Sequence, residues 1–426
     1  MNKNMPSRDG QEKKMKLKPV AACSPLFLLL LSGGAHAALE PFSFGASETI
    51  QHDSNLNHSD DAHRTADWLS TTELRAALDQ AVGRDRLTAN AAVNYTNYRS
   101  QDSRNALGYR AATAFDWNTI GDLSGSIGAS SQRRQYIYGV NDGETVSTSA
   151  RNLETTNNAY ARIELGGLAR WSIFAGFNAM NRSYSAESFA GNEQRQWSTN
   201  FGTHYSTSPD LNFGLVASYT RGEYPNYVDE LNRPTSDAFT SRSLSATTRL
   251  QASGNSALDA SLGYTKQDSD LADVTHFVSG SLNWTWTPPS HFRVHFGVAR
   301  SQDGGALNAS NANSLNDRSV NNTATLGVSY ELTGKISLAG DVAYIQRRYS
   351  NAKIPVLQPD GQVVLETING TNHTQRFGLS AHYQPTRTTD LSCGGSRETR
   401  GSSSASSSTP NYTDTKLFCT AAIEFN

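Results

Sequence analysis

The sequence is short of most features that would mark a soluble enzyme of its size. Past residue 37 no stretch holds the roughly 20 consecutive apolar residues of a membrane-spanning helix. Cysteine is scarce: Cys23, Cys393 and Cys419 are the three in 426 residues, too few for a disulfide-dense scaffold or a four-cysteine zinc centre. Neither Gly-x-Ser-x-Gly nor His-Glu-x-x-His occurs. The ten histidines are scattered, His204 and His382 singly. His291 and His295 sit two positions of alternation apart, where imidazoles line a wall more often than they hold a metal. No catalytic, metal or cofactor site is therefore expected, and no enzymatic activity. Hydrophobic residues make up 37% of the chain, thin for the packed interior of a soluble β-sandwich.

The first thirty-seven residues differ in kind from the rest. Lys13, Lys14, Lys16 and Lys18 lead into Pro25-Leu26-Phe27-Leu28-Leu29-Leu30-Leu31, and Ala35-His36-Ala37 supplies the small residues of a signal-peptidase site. Residues 1–37 are expected to be a secretory signal peptide cleaved after Ala37, leaving 38–426 as one domain. Met15 would itself open a signal of ordinary length, and Cys23 precedes the apolar core, the wrong order for a lipid-anchored N-terminus. Removing 1–37 takes away six Lys or Arg and two Asp or Glu, so the formal net charge moves from -2 to -6. No basic footprint for nucleic acid remains.

What the remainder has in quantity is alternation with a period of two, the mark of a strand with two different faces. Leu211, Phe213, Leu215, Ala217 and Tyr219 interleave with polar or small residues, as do Leu258, Ala260, Leu262 and Tyr264. Phe292, Val294, Phe296 and Val298 alternate with Arg293, His295, Gly297 and Ala299. Short breaks with Gly, Pro or Asp fall near 82–85, 118–121, 166–167, 208–210, 253–255, 288–290, 333–335 and 385–386. Polar stretches lie between them at 53–65, 135–155, 183–192, 224–236, 304–317, 350–370 and 400–411. Short turns on one side and long loops on the other describe an all-β, transmembrane, antiparallel up-and-down β-barrel in a bacterial outer membrane. About 18 strands fit between Phe42 and Phe425, with 16 as the alternative. Trp68, Trp117, Trp171, Trp197, Trp284 and Trp286 all fall near strand ends, where an outer-membrane barrel carries its interfacial girdles. The last strand alternates Leu417, Cys419, Ala421, Ile423 and Phe425, and ends on an aromatic followed by Asn426.

The leader, the mature length and the strand-turn rhythm from about Pro41 to Asn426 resemble the EpsL-like β-barrel porins associated with bacterial exopolysaccharide operons. That resemblance implies a channel serving exopolysaccharide export or biosynthesis, with polysaccharide and other export components as partners beside outer-membrane lipid. It carries no catalytic residues. Two further readings stay open: a general or substrate-specific diffusion porin, and a non-conducting barrel that anchors a secretion assembly.

Charged residues on the polar face are the candidates for lining a pore: Glu73, Arg75, Arg110, Asp116, Arg162, Glu164, Arg249, Asp259, Arg293, Glu331, Asp341 and Arg376. Facing acids and bases set a transverse field that filters solutes by charge, or brace the wall as cross-strand pairs. Tyr136, Tyr138, Tyr184, Tyr224 and Tyr227, in or beside outer loops, have the flat faces that stack on sugar rings. Cys393 and Cys419 fall opposite each other if the last hairpin is centred near 405 or 406, both on the apolar face, where a disulfide or two free thiols would fit.

Overall fold

The computed structural model describes residues 41–136, 151–167, 169–228, 234–270, 274–304, 318–357, 363–402 and 411–425. The expected signal peptide, residues 1–37, lies outside them. The chain runs through β1 (Phe42–Asp53), β2 (Asp67–Val82), β3 (Asp85–Tyr98), β4 (Ala106–Asn118), β5 (Leu123–Gln135) and β6 (Leu153–Leu165). It continues as β7 (Trp171–Tyr184), β8 (Gln194–Ser208), β9 (Leu211–Val228), β10 (Pro234–Ser253), β11 (Ser256–Ser269) and β12 (Thr275–Trp286). The last third is β13 (Phe292–Gly304), β14 (Arg318–Thr333), β15 (Ile336–Leu357), β16 (Val363–Tyr383), β17 (Thr389–Ser402) and β18 (Tyr412–Phe425). Each strand pairs antiparallel with its sequence neighbours, and β1 also pairs with β18 from Phe44 opposite Phe425 to Asp53 opposite Lys416. The sheet is thus a closed cylinder of 18 strands, the larger of the two counts the sequence allowed, with no open edge.

Turns at one end are tight because the residues there accept them. Val82 pairs with Asp85, leaving only Gly83 and Arg84 to reverse the chain, and Gly83 takes φ +64°, a region costly for any residue with a Cβ. Connections at the other end are longer, but not uniformly. Where the sequence implied loops over 224–236 and 350–370, β9 and β10 run on to Val228 and from Pro234, and β15 and β16 reach Leu357 and start again at Val363. A strand needs about 9–11 residues to cross a bilayer, so the 22 residues of β15 carry its hairpin well beyond one. In sequence the Pro, Asn, Asp and Gly residues of these stretches, such as Pro225, Pro234, Pro355 and the Pro359-Asp360-Gly361 run, read as loop, although the strands continue into the stretches.

Pairing fixes which residues share a face. Following the register round the barrel, Leu74, Val93, Leu107, Ile127, Ile163, Ile173, Phe201, Leu215, Leu244, Leu262, Leu326, Val342, Leu379 and Leu417 all stand on one surface. The alternate residues, mostly Ser, Thr, Asn, Gly and charged groups, stand on the other. On the polar surface side chains two strands apart touch: Arg110 of β4 reaches Glu73 of β2 across β3, and Arg75 of β2 reaches Glu424 of β18 across β1. Such convergence needs a concave face, so the polar set lines the lumen and the apolar set is outside. Among the described residues nothing covers the outside; Leu262 is 63% and Phe201 60% exposed. Most of the large closely packed residues are at the loop end instead, among them Tyr98, Phe189, Tyr224, Tyr227, Phe239 and Tyr412.

Candidate functional site: the lumen wall and its rim

The lumen wall is polar because every second strand residue is. All twelve charged residues singled out from sequence lie on this face, and the register brings eight of them into pairs or clusters. Arg110 holds Glu73 with both guanidinium nitrogens at 2.8 Å. Arg75 donates to Glu424 at 2.9 Å, and Arg249 lies 3.8 Å from Asp259 directly opposite it. Arg162 donates to Glu164 at 2.9 Å while its guanidinium sits 3.7 Å over the Phe174 ring, whose other neighbour is the stacked His204 imidazole at 4.9 Å. Asp116 stands opposite Arg86, which is itself held by Asp79 of β2. Arg293, Glu331, Asp341 and Arg376 face the lumen without an ion pair among the described residues, and the Asp341 carboxylate lies over Gly378.

Sequence reasoning missed Asp79, Glu424 and Asp390, the last 2.8 Å from the His382 ring. Asp79 was readable as an in-phase polar position two steps beyond Arg75, whereas Asp390 and Glu424 lie on β17 and β18, where no charged residue had been singled out. His295 is on the lumen face, but His291 falls in the turn before β13 and meets Tyr330 edge-on, so the two do not share a strand.

At the loop end the described side chains pack into a polar rim. The segment after β1 folds over β18: Asn55 donates to the Ser59 and Thr413 carbonyls, and its backbone N–H donates to Asp53. Beneath it Lys416 bridges Asp53 and Asp414 at 3.4 and 3.3 Å, while His58 lies 3.4 Å from Asp414 and stacks on Tyr412 at 4.5 Å. Farther out on the same segment, the hydrogen bond from His63 holds the Asp60 carboxyl below its ordinary range. A second patch joins Arg134 and Tyr184 to Glu154, with Tyr136, Tyr184 and Phe189 packed ring to ring. The tyrosines expected to meet sugar are therefore engaged in the rim: Tyr224 and Tyr227 are buried beside Phe239. Tyr138 lies outside the described residues.

On the outer wall the aromatic side chains form two bands. Trp117, Trp171, Trp284 and Trp286 stand near the tight turns, with Tyr205 4.5 Å from Trp171. Trp68 and Trp197 stand toward the loops, with Tyr219 5.5 Å from Trp197 and Tyr264 and Tyr344 in the same zone. Between the bands the wall is apolar. A closed barrel with an even number of strands, an uncovered greasy belt and aromatic girdles at both edges has one solvent that suits it. The chain is an outer-membrane β-barrel. Its tight turns face the periplasm, its long loops the outside.

Two features break the apolar belt. Cys393 and Cys419 occupy directly opposed positions on it with Cα atoms 4.1 Å apart, joined as a disulfide. Glu48 also points outward, accepting hydrogen bonds from Ser70 Oγ and, at 2.6 Å, from Thr72 Oγ1 of the neighbouring strand.

No family model matches the sequence, and no curated protein matches it. Among solved structures, the chain is similar to the outer membrane protein OpdK from Pseudomonas aeruginosa, at 14% identity over 91% of this chain and 100% of that one, with a TM-score of 0.48. It is similar also to the siderophore receptor PirA from Pseudomonas aeruginosa, at 11% identity over 90% and 80% of the two chains, with a TM-score of 0.43. The barrel assignment rests on this chain's own strand pairing.

Proposed function

We propose that this barrel is a water-filled channel through which small hydrophilic solutes cross the outer membrane, with no enzymatic step. One observation carries the reading. Charged side chains at two levels of the lumen wall, Arg110 on β4 and the Arg249–Asp259 pair nearer the tight turns, keep most of their surface open: Arg110 55%, Arg249 68% and Asp259 54%. Small barrels fill their interior with side chains, whereas those of 16 to 18 strands enclose water. A wall of Ser, Thr, Asn and mixed charges suits hydrated solutes and strong discrimination by none of its single groups.

The test is single-channel recording of the purified protein in planar bilayers. Stepwise, ohmic conductance is the expected result; a folded barrel that conducts in no state would sink the proposal and favour the non-conducting anchor, in which deletion of the 135–155 loop leaves permeability unchanged. Export of an exopolysaccharide is a narrower proposal resting on the family resemblance. Against its simplest form stands the engagement of Tyr136, Tyr184, Tyr224 and Tyr227 in rim packing. Polysaccharide secreted by cells with and without the protein decides it.

A further inference from the structure

The outer wall is charged at one end and neutral at the other. On the periplasmic half the outward positions hold no Arg or Lys among the described strand residues and are mostly apolar or small, for instance Phe44, Leu78, Leu87, Phe115 and Leu165 through to Leu391 and Phe425. Every outward-facing Arg or Lys among the described strand residues lies in the extracellular half. Arg133, Arg221 and Lys266 each stand ten residues beyond the first residue of their strands, Leu123, Leu211 and Ser256. Two residues below Arg221 and Lys266 are the girdle tyrosines Tyr219 and Tyr264.

The densest part of this collar is on β9 to β11. Arg242 of β10 lies directly opposite Lys266 on one side and Tyr219 on the other, and Arg221 follows on the next outward row. Directly opposed side chains have Cβ atoms about 4.5–5.5 Å apart, and like charges in that position repel. Carboxylates offset only part of this: Asp268 is 3.4 Å from Lys266, and Glu223 is 3.9 Å from Arg195. Arg221 and Arg242 have no carboxylate partner among the described residues. Farther round, Arg300 and Arg397 continue the collar on β13 and β17. The sheet thus holds cations against one another just above an aromatic girdle, the depth at which lipid headgroups begin, and on the outward leaflet alone.

We infer that this collar, centred on Arg221, Arg242 and Lys266, is a docking surface for the phosphate groups of the phosphorylated glycolipid that fills the outer leaflet. Guanidinium groups bind phosphate bidentately, and two opposed cations match a headgroup carrying more than one phosphate. The uncharged periplasmic half fits a leaflet that offers no such ligand. Docked lipid would fix the barrel's vertical position and its orientation.

The full-length mature protein, purified in a non-ionic detergent, would be titrated with bisphosphorylated lipid A, with its dephosphorylated form and with phosphatidylglycerol, bound lipid being counted by native mass spectrometry. The expected result is retention of bisphosphorylated lipid A, with affinity about tenfold or more lower in R221Q/R242Q/K266Q. Heat-modifiable gel migration and unchanged conductance would establish that the variant is folded. If it does not fold, wild-type discrimination between the phosphorylated and dephosphorylated lipids decides. Equal retention of the two forms overturns the inference, as does undiminished binding by the folded variant. Equal binding of phosphatidylglycerol, or displacement of lipid A by millimolar inorganic phosphate, overturns the assignment to the glycolipid.

Discussion

Reversing Arg110 tests the lumen field directly. Arg110 and Glu73 form a bidentate pair across the wall whose charges cancel. R110E therefore changes the lumen by two charges, whereas E73Q/R110Q changes it by none. For an ion passing about 10 Å away in water, one charge is worth about 0.4 kcal/mol. Two charges then separate a monovalent cation from an anion by about 1.6 kcal/mol, which salt at about 0.1 M screens to about 0.6 kcal/mol. The cation-to-anion permeability ratio should rise about threefold at that salt and about fifteenfold toward the dilute limit. The fold should survive, since pairs this exposed contribute about 0–1 kcal/mol. Reversal potentials under a salt gradient read the ratio. An unchanged reversal potential in R110E, or an equal shift in the neutral double variant, would refute the assignment of this pair to the conducting wall.

Two other outcomes follow from the outer face. The disulfide closes a separation of 26 residues, and its reduction should remove about 3.5 kcal/mol by the chain-entropy relation, read as an earlier urea transition in detergent; mass spectrometry finding two free thiols in the unreduced protein would contradict this. Glu48 holds a carboxylate on the belt with, among the described residues, only Ser70 and Thr72 for support, so E48L should raise stability in bilayers by about 1 kcal/mol, and a loss would show that the acid has a partner beyond these two.

Much of this architecture was legible because the pleat imposes a period of two on any strand with unlike faces. Leu258, Ala260, Leu262 and Tyr264 announce an outer face without any knowledge of what they pair with. The twelve charged lumen residues followed from the same parity. Their partners did not, because Arg75 and Glu424 lie 349 residues apart and meet only when the cylinder closes. The rim was illegible for a different reason: Asn55, His58 and Asp414 are brought together by a loop folding back over the last strand, which leaves no periodic trace. The basic collar was readable in principle, as a girdle aromatic followed two residues later by a cation in Tyr219-x-Arg221 and Tyr264-x-Lys266. Attention to the polar face alone passed over it.

How a barrel lined with rings stays open is answered by where its glycines fall. Inward aromatics would project into the water path if they stood upright. Tyr160 instead faces Gly128 across the β5–β6 ladder, and Phe174 faces Gly202 across β7–β8. A Cβ placed on Gly128 would be 2.6 Å from the Tyr160 ring, and one on Gly202 would be 2.5 Å from the Phe174 ring. Both rings therefore lie flat along the wall in space that a side chain would occupy. Phe239 over Gly222 and Phe418 over Gly394 repeat the arrangement. G128V should lift the Tyr160 ring into the lumen, at an overpacking cost of about 1–3 kcal/mol, and lower the unit conductance. Removing the ring as well, in G128V/Y160A, should restore conductance to the wild-type level or above. A folded G128V barrel that conducts like wild type would mean the ring found room elsewhere, and that glycine does not keep this part of the path clear.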